Sequence, residues 1–481
     1  MPRVPPVTTA TRPLMVLPSR LGFAPEGRRH VPGVNARARE RVDSQPRVLA
    51  RPFRAVPWRG ALGRVDWEPS AFLSAGRHHT RSIRERTSMT QPHAPQDRPQ
   101  VIVVFQGGGA LGAYHVGAYQ ALEEAGLHPD WVSGISIGAF TAALVAGNRP
   151  EKRLERLEAF WKEVSWPGTE WGSLLKGRMR QLFNLGSHMT SLLFGQPGFY
   201  SPRLVPPSLA FPGSPEALSF YSTRPMRSTL RRLVDFDYIN SRATRLSLGA
   251  TRVSDGHLVF FDNTRGIVGP EHVLASGALP PAFPPSLIDG ELYWDGGCVT
   301  NTPLNAILDD PPKRHAVVFM IDLFDARAPL PTAMDEASWR MKSIQYAGRT
   351  SSHLEQFAKV WNLRSAVTRV VRRASASSPM AFSEEAEAKP TPRLDIIHLT
   401  YQRGEHQLSS SDAEFSRASI AERRADGYRD MQRALATCPW TQPAPEGGPQ
   451  AFSDDGTEQA GGTALIHRVE GDEVHTQVPL S

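Results

Sequence analysis

Cysteine is nearly missing from this 481-residue chain: Cys298 and Cys438 are the only two. Thiols so far apart in sequence make neither a disulfide framework nor a cysteine metal cluster, and they suit a reducing compartment. Long apolar runs are missing too. No segment approaches the roughly 18 apolar residues of a membrane span, and no early stretch has the apolar core of a signal peptide. No His, Cys or carboxylate spacing of a metal site emerges, so no metal and no cofactor are expected. Lysine is absent from residues 1–88, which hold 17 Arg against 6 acidic residues, a net of +11. Residues 89–481 hold 38 basic and 42 acidic residues, a net of −4. The formal excess of +7 therefore sits wholly at the start, and the body offers no general surface for nucleic acid.

Residues 1–97 are rich in Arg and Pro and lack apolar periodicity, which predicts a disordered leader. The composition resembles a transit peptide. The plainer reading is upstream sequence with Met89 as the natural start. We favour it, because structure-like patterning begins only at Val101.

From there the pattern is strand, turn, helix, strand, turn, helix. Val101–Phe105 is a continuous apolar run suited to a buried parallel strand. A helix follows through Tyr119, Leu122 and Ala125, ending at Gly126. Trp131–Ile135 reads as the second strand, Ala139–Ala146 as the second helix, and residues 151–165 as an amphipathic helix. This alternation predicts an α/β fold, a three-layer α/β/α sandwich. Between about 166 and 230 apolar clusters alternate with Gly and Pro. Leu246–Arg252 and Leu258–Phe261 suggest a hairpin around Asp255-Gly256. Further strands are expected at Glu291–Trp294, Ala316–Leu323 and Leu394–Thr400. Residues 374–391 read as a linker, and a last helix is expected to start at Ser411, with Glu414 completing a capping box.

Three elements carry chemistry. Gly134-Ile135-Ser136-Ile137-Gly138 is a G-x-S-x-G pattern between a strand and a helix, where a sharp turn exposes a serine oxygen. The following helix points its positive end at that oxygen. Gly107-Gly108-Gly109-Ala110-Leu111-Gly112 opens the first helix, and consecutive glycines can turn several amides toward one point, as an oxyanion hole requires. The same residues satisfy G-x-G-x-x-G, but a dinucleotide site also needs an acid at the end of the second strand. That strand ends in Gly134-Ile135-Ser136, with Asp130 before it, so the nucleotide reading fails. Asp295-Gly296-Gly297 follows a strand. Its aspartate can accept a serine proton directly, or it can simply cap a turn. His115 reads as a packed side chain, Cys298 as a buried thiol, and Asp309-Asp310 as a solvated turn.

In order and context, the glycine loop, the serine elbow and the downstream Asp-Gly-Gly resemble the signature of the patatin-like phospholipases. The resemblance runs from about Val101 to Pro303, and Ala275–Pro284 is similar to the family's segment ahead of the aspartate. It implies Ser136 as nucleophile, Asp295 as base without a histidine, and an oxyanion hole around Gly107, Gly108, Gly109 and Ala110. Many relatives carry Arg or Lys where this chain has Leu111. The region to about 437 resembles a C-terminal extension of one bacterial subgroup.

The expected organisation is therefore a patatin-like catalytic domain over 98–330, a mostly helical extension over 331–440 with one added strand, and a disordered tail over 441–481. The resemblance implies a serine acyl hydrolase acting on phospholipid or another acyl ester, cytoplasmic and peripheral at the membrane. Its rivals are an acyltransferase using the same acyl-enzyme and a non-enzymatic lipid-binding protein.

Overall fold

The computed structural model describes residues 98–327, 329–376, 392–441, 464–470 and 473–477. The expected leader and most of the linker lie outside these residues.

The apolar runs become the centre of a sheet. Strand β1 (Gln100–Phe105) leads through the glycine loop into helix α1 (Ala113–Glu124), and β2 (Trp131–Gly134) leads into α2 (Ile137–Ala146). Then come α3 (Pro150–Glu163), α4 (Gly177–Phe194), the short pair β3 (Ser201–Pro202) and β4 (Tyr221–Ser222), α5 (Arg224–Leu233) and α6 (Phe236–Asn240). Strands β5 (Arg245–Arg252) and β6 (Leu258–Asp262) form the expected hairpin. They precede α7 (Pro270–Ser276), β7 (Ser286–Ile288), β8 (Glu291–Asp295), α8 (Asn305–Asp309) and β9 (Ala316–Asp322). The remainder holds α9 (Met334–Ala347), α10 (Thr350–Ala376), β10 (Leu394–Thr400), α11 (Arg417–Thr437), β11 (Ala464–Glu470) and β12 (Glu473–Gln477).

Ten strands make one mixed sheet in the order β12-β11-β10-β9-β1-β2-β5-β8-β7, with β6 also on β5. The central strands are parallel and apolar on both faces, because side chains alternate and each face is covered. Val101, Val103 and Phe105 of β1 pack with residues of α1, α2, α3 and α5. Ile102 and Val104 point the other way, toward Leu354, Phe357, Ala358 and Trp361 of α10, an i, i+3, i+4, i+7 stripe. This gives the three layers. No helix among the described residues is long and apolar enough to cross a membrane.

The described residues of the body fall in one compact unit, in which the expected extension packs on the catalytic part. The reason lies where α11 crosses α1. A Cβ on Gly117 would collide with the Arg424 carbonyl, and one on Gly427 with the Tyr114 carbonyl. Two facing glycines thus let the helix backbones touch, so the extension is built into the first catalytic helix.

Three expectations change. Within the expected disordered tail, β11 and β12 extend the sheet, with His467 Nε2 3.0 Å from buried Asp395 Oδ1. The loose region 166–230 contains the 18-residue helix α4. The last helix is capped by Ser416, which accepts from the Ser419 amide, and not by Ser411. Glu414 is committed elsewhere: it accepts from the Ser416 amide at 2.8 Å and faces Arg423.

Candidate active site

The register of β5 brings the two chemical segments together. With β6 along one edge, the other edge pairs first with β2, where Leu248 faces Gly134, and two residues later with β8, where Ala250 faces Asp295. The chain leaving β2 toward Ser136 and the end of β8 therefore meet on one strand edge. They do so at the C-terminal end of the parallel strands, where α/β folds present their sites.

Ser136 adopts φ 54° and ψ −128°, a backbone region that non-glycine residues seldom occupy. The turn is tight enough that a Cβ on Gly134 would strike the Gly138 carbonyl, and one on Gly138 the Phe105 carbonyl. Hence both glycines of the pattern are sterically required. The Ser136 amide donates to the Ser276 carbonyl at 3.1 Å and to its Oγ at 3.2 Å, and Ser276 Oγ donates to the Gly249 carbonyl at 2.6 Å. Ser136 also stands at the N-cap position of α2 without a side-chain capping bond, where the helix's N-terminal field favours negative charge at the serine oxygen.

Asp295 is 1 % exposed. Its Oδ1 accepts from the Gly297 amide at 2.7 Å, the turn cap that its sequence allows. Its Oδ2 is buried without a hydrogen bond of regular geometry. Burial pushes the carboxyl up to about 7, while the Gly297 amide and the Ser136 hydroxyl pull it down. The serine thus acts on the carboxyl without a regular hydrogen bond, a looseness common in sites that hold no substrate.

The glycine loop passes directly against the serine, since a Cβ on Gly107 would stand 3.0 Å from Ser136 Cβ. Gly107 departs from its expected role. Its amide donates to the Asn301 carbonyl at 3.1 Å and its carbonyl accepts from Asn301 Nδ2 at 2.8 Å, so it anchors the loop. The amides of Gly108, Gly109 and Ala110 have no hydrogen-bond partner among the described residues. Gly109, with φ 56°, rests against the Asp412 carbonyl. The Ala110 carbonyl accepts from Arg423 Nη1 at 3.0 Å.

Ser276, Asn301 and Arg423 escaped the sequence reading. Ser276 lies in a segment that resembled the family's, and Asn301 follows the Asp-Gly-Gly turn. Arg423 carried no signal, being one arginine on a largely polar helix.

His115 is fully buried, packs on Phe105 with ring centroids 5.1 Å apart, and lies 3.5 Å from Thr141 Oγ1. Burial lowers it to about 3, so it stays neutral. Cys298 is exposed rather than buried, and its thiol is pushed up to about 11 by partial desolvation and by Asp295. Asp310 pairs with Arg245 at 2.7 Å. Asp130 holds Arg98 and the Val101 amide, a structural task.

With this geometry in view, a family profile described as patatin-like phospholipase matches residues 103–308, which contain the loop, the elbow and Asp295. The chain carries a patatin-like phospholipase domain. A second profile, described as patatin phospholipase, matches residues 344–447, which contain α11 and Arg423. Patatin-like phospholipase domain-containing protein 6 of Mus musculus is 29 % identical over 204 residues, 42 % of this chain and 12 % of that protein. Neuropathy target esterase sws of Drosophila ananassae is 26 % identical over 166 residues, 33 % of this chain and 10 % of that one. This chain thus spans about an eighth or less of the length of these relatives. Among solved structures, VipD from Legionella pneumophila is 15 % identical with a TM-score of 0.33, over 72 % of this chain and 67 % of that one. The human GIVD cytosolic phospholipase A2 in complex with methyl gamma-linolenyl fluorophosphonate is 12 % identical, also at 0.33, over 71 % and 59 %. The patatin-like domain and the second profile meet at the glycine loop.

Proposed function

We propose that this chain is a lipid acyl hydrolase in which Ser136 is the nucleophile and Asp295 its base. One observation carries the reading. A buried carboxyl whose proton affinity is raised to about 7 acts on a serine held in a strained elbow.

Asp295 takes the Ser136 proton as Oγ bonds to the ester carbonyl carbon. The amides of Gly108, Gly109 and Ala110 and the N-terminus of α2 receive the negative oxygen. Collapse expels the alcohol, which takes the proton from Asp295, and leaves an acyl-serine. Water then attacks, Asp295 takes its proton, and the fatty acid leaves as the serine recovers its hydrogen. The carboxyl must be ionised at each start, and its raised affinity lets it hold a proton at neutral pH. The substrate is an acyl ester of a lipid, the class named for the relatives.

A fluorophosphonate should label the protein by serine attack on phosphorus with loss of fluoride, and Ser136→Ala should abolish labelling. An adduct mapped by mass spectrometry to another serine removes Ser136 from the mechanism.

The pH dependence follows from the carboxyl. With the base protonated below its pKa, kcat/KM on a soluble short-chain ester should fall tenfold per unit on the acid side of about 7 and level off above. A profile flat through 7 excludes Asp295 as the titrating base.

A further inference from the structure

Helix α4 is turned inside out for a helix in water. Its buried residues are Arg180, Asn184 and Ser191. Its outward stripe is Met179, Leu182, Leu185, Met189 and Leu193, each between 44 % and 63 % exposed, at helical spacings of three and four. The polar side is locked in place. Arg180 donates to the Gly172 carbonyl at 2.6 Å and to Glu422 at 2.9 Å, Asn184 donates to the His406 carbonyl, and Ser191 to Gln196. Rolling the helix to hide its leucines would strip these buried groups of their partners, so the apolar face is held outward.

Beyond α4, Leu204 and Phe211 project from loop backbone and Leu209 from a single 3-10 turn, all at 77 % exposure or more. From Trp171 to Pro215 the sequence contains no Asp or Glu, while Lys176 and Arg178 stand exposed at the start of α4. Single side chains standing clear of the backbone suit insertion into a fluid apolar medium better than close packing on a protein. An acid-free basic margin suits an anionic one.

This surface is wired to the dyad. The Tyr221 hydroxyl donates to the Leu192 carbonyl at the end of α4. The Phe220 and Tyr221 amides donate to the Pro281 and Ala282 carbonyls, and the Asp295 amide donates to the Ala278 carbonyl. One short segment, 278–282, thus joins α4 to the proposed base.

We infer that α4 and the 204–211 loop form an interfacial surface that seats the protein on an anionic lipid bilayer. The apolar stripe enters the acyl region, and Lys176 and Arg178 meet the headgroup charges. The inference rests on the lipid-ester reading above for its orientation toward substrate.

The test uses the full chain carrying Ser136→Ala, so that lipids survive, in flotation with vesicles of phosphatidylcholine alone or with about a third phosphatidylserine. Binding is expected to require phosphatidylserine and to weaken with salt. Leu182→Glu with Leu193→Glu should weaken it by on the order of ten- to a hundredfold. Lys176→Glu with Arg178→Glu should weaken it by roughly fivefold per charge. In the background with Ser136 intact, the leucine pair should leave turnover of a soluble short-chain ester unchanged, which also certifies folding. Absent ester turnover even without substitutions would overturn the hydrolase reading alone. Unchanged vesicle binding in the leucine variant overturns the docking surface. So does loss of binding only on Leu363→Glu with Val370→Glu, which alters the exposed stripe of α10. A dimer abolished by the leucine variant with vesicle binding intact would assign α4 to a second copy of the chain and overturn the inference too.

Discussion

Asp295→Asn is expected to fold, to melt no lower than the parent at pH 8, and to lose activity by about 10²–10⁴ in kcat. The substitution keeps the size of the side chain and the Oδ1 that accepts from the Gly297 amide at 2.7 Å, so the turn survives. It removes the proton acceptor. The stability direction follows from linkage. The folded carboxyl is raised to about 7, above the roughly 3.9 of an unfolded aspartate, so the unfolded chain loses its proton first. The stability linked to this proton is present in full below about pH 4 and is lost as pH rises through about 7. Asparagine has no such loss, so the melting-temperature difference should favour the variant increasingly between pH 4 and pH 8. If Asp295 served only as a turn cap, turnover of the folded variant would be near normal. Measuring kcat and melting temperature on the same preparations across that pH range separates the two roles.

The chemistry was legible in sequence because each element is local. Gly134 and Gly138 flank Ser136 within five residues, and the collision that demands Gly134 is with Gly138 itself, although the one that demands Gly138 comes from Phe105 at the end of β1. The strands of the central sheet were legible because burial on both faces turns period-two alternation into continuous apolar runs, as in Val101–Phe105. What stayed hidden depends on long-range pairing. Ser276 meets the Ser136 amide across 140 residues, and Asn301 meets Gly107 across 194. Nothing in the local pattern of either segment reveals its partner. Helix α4 leaves no clear signal in sequence because its apolar positions face outward and its polar ones inward, so they mark no core stripe. Ser411 and Glu414 fit a capping box by spacing, yet Glu414 is drawn away by the Ser416 amide and by Arg423. Tertiary demand there outweighs local preference. The packing of the extension on the catalytic part was hidden for the same kind of reason: Gly117 and Gly427 are ordinary glycines until two helices are laid backbone against backbone.

Arg423→Met is expected to cost substantial stability, and to lower kcat in the fraction that still folds. The guanidinium is fully buried. It donates through Nη1 to the carbonyls of Ala110 and Glu414, at 3.0 and 2.9 Å, and through Nη2 to the Ser411 carbonyl at 3.0 Å. It also faces the Glu414 carboxylate at 3.5 Å, which is 1 % exposed. Methionine fills similar space but takes a hydrogen bond from each of three carbonyls, of which Ala110 and Ser411 keep a backbone amide, and leaves a buried carboxylate without its cation. Removing one partner from such a cluster typically costs about 3–5 kcal/mol, because the remaining charge stays desolvated. At about 2–4 °C per kcal/mol for a body of this order of size, the melting temperature should fall by roughly 6–20 °C. The effect on catalysis is argued through Ala110. Its carbonyl is the handle by which α11 holds the glycine loop, and Gly109 leans on the Asp412 carbonyl in the turn that Arg423 ties together. A loop freed from that support presents its amides less firmly to the developing oxyanion, where loss of one donor costs about 10²–10³ in kcat. Arg423→Lys separates support from mere filling. It restores the cation beside Glu414 but can reach fewer carbonyls at once, so it should recover more of the stability than of the kcat. Below its melting range, an Arg423→Met protein with normal kcat on a short-chain ester would show that the loop holds its shape without α11.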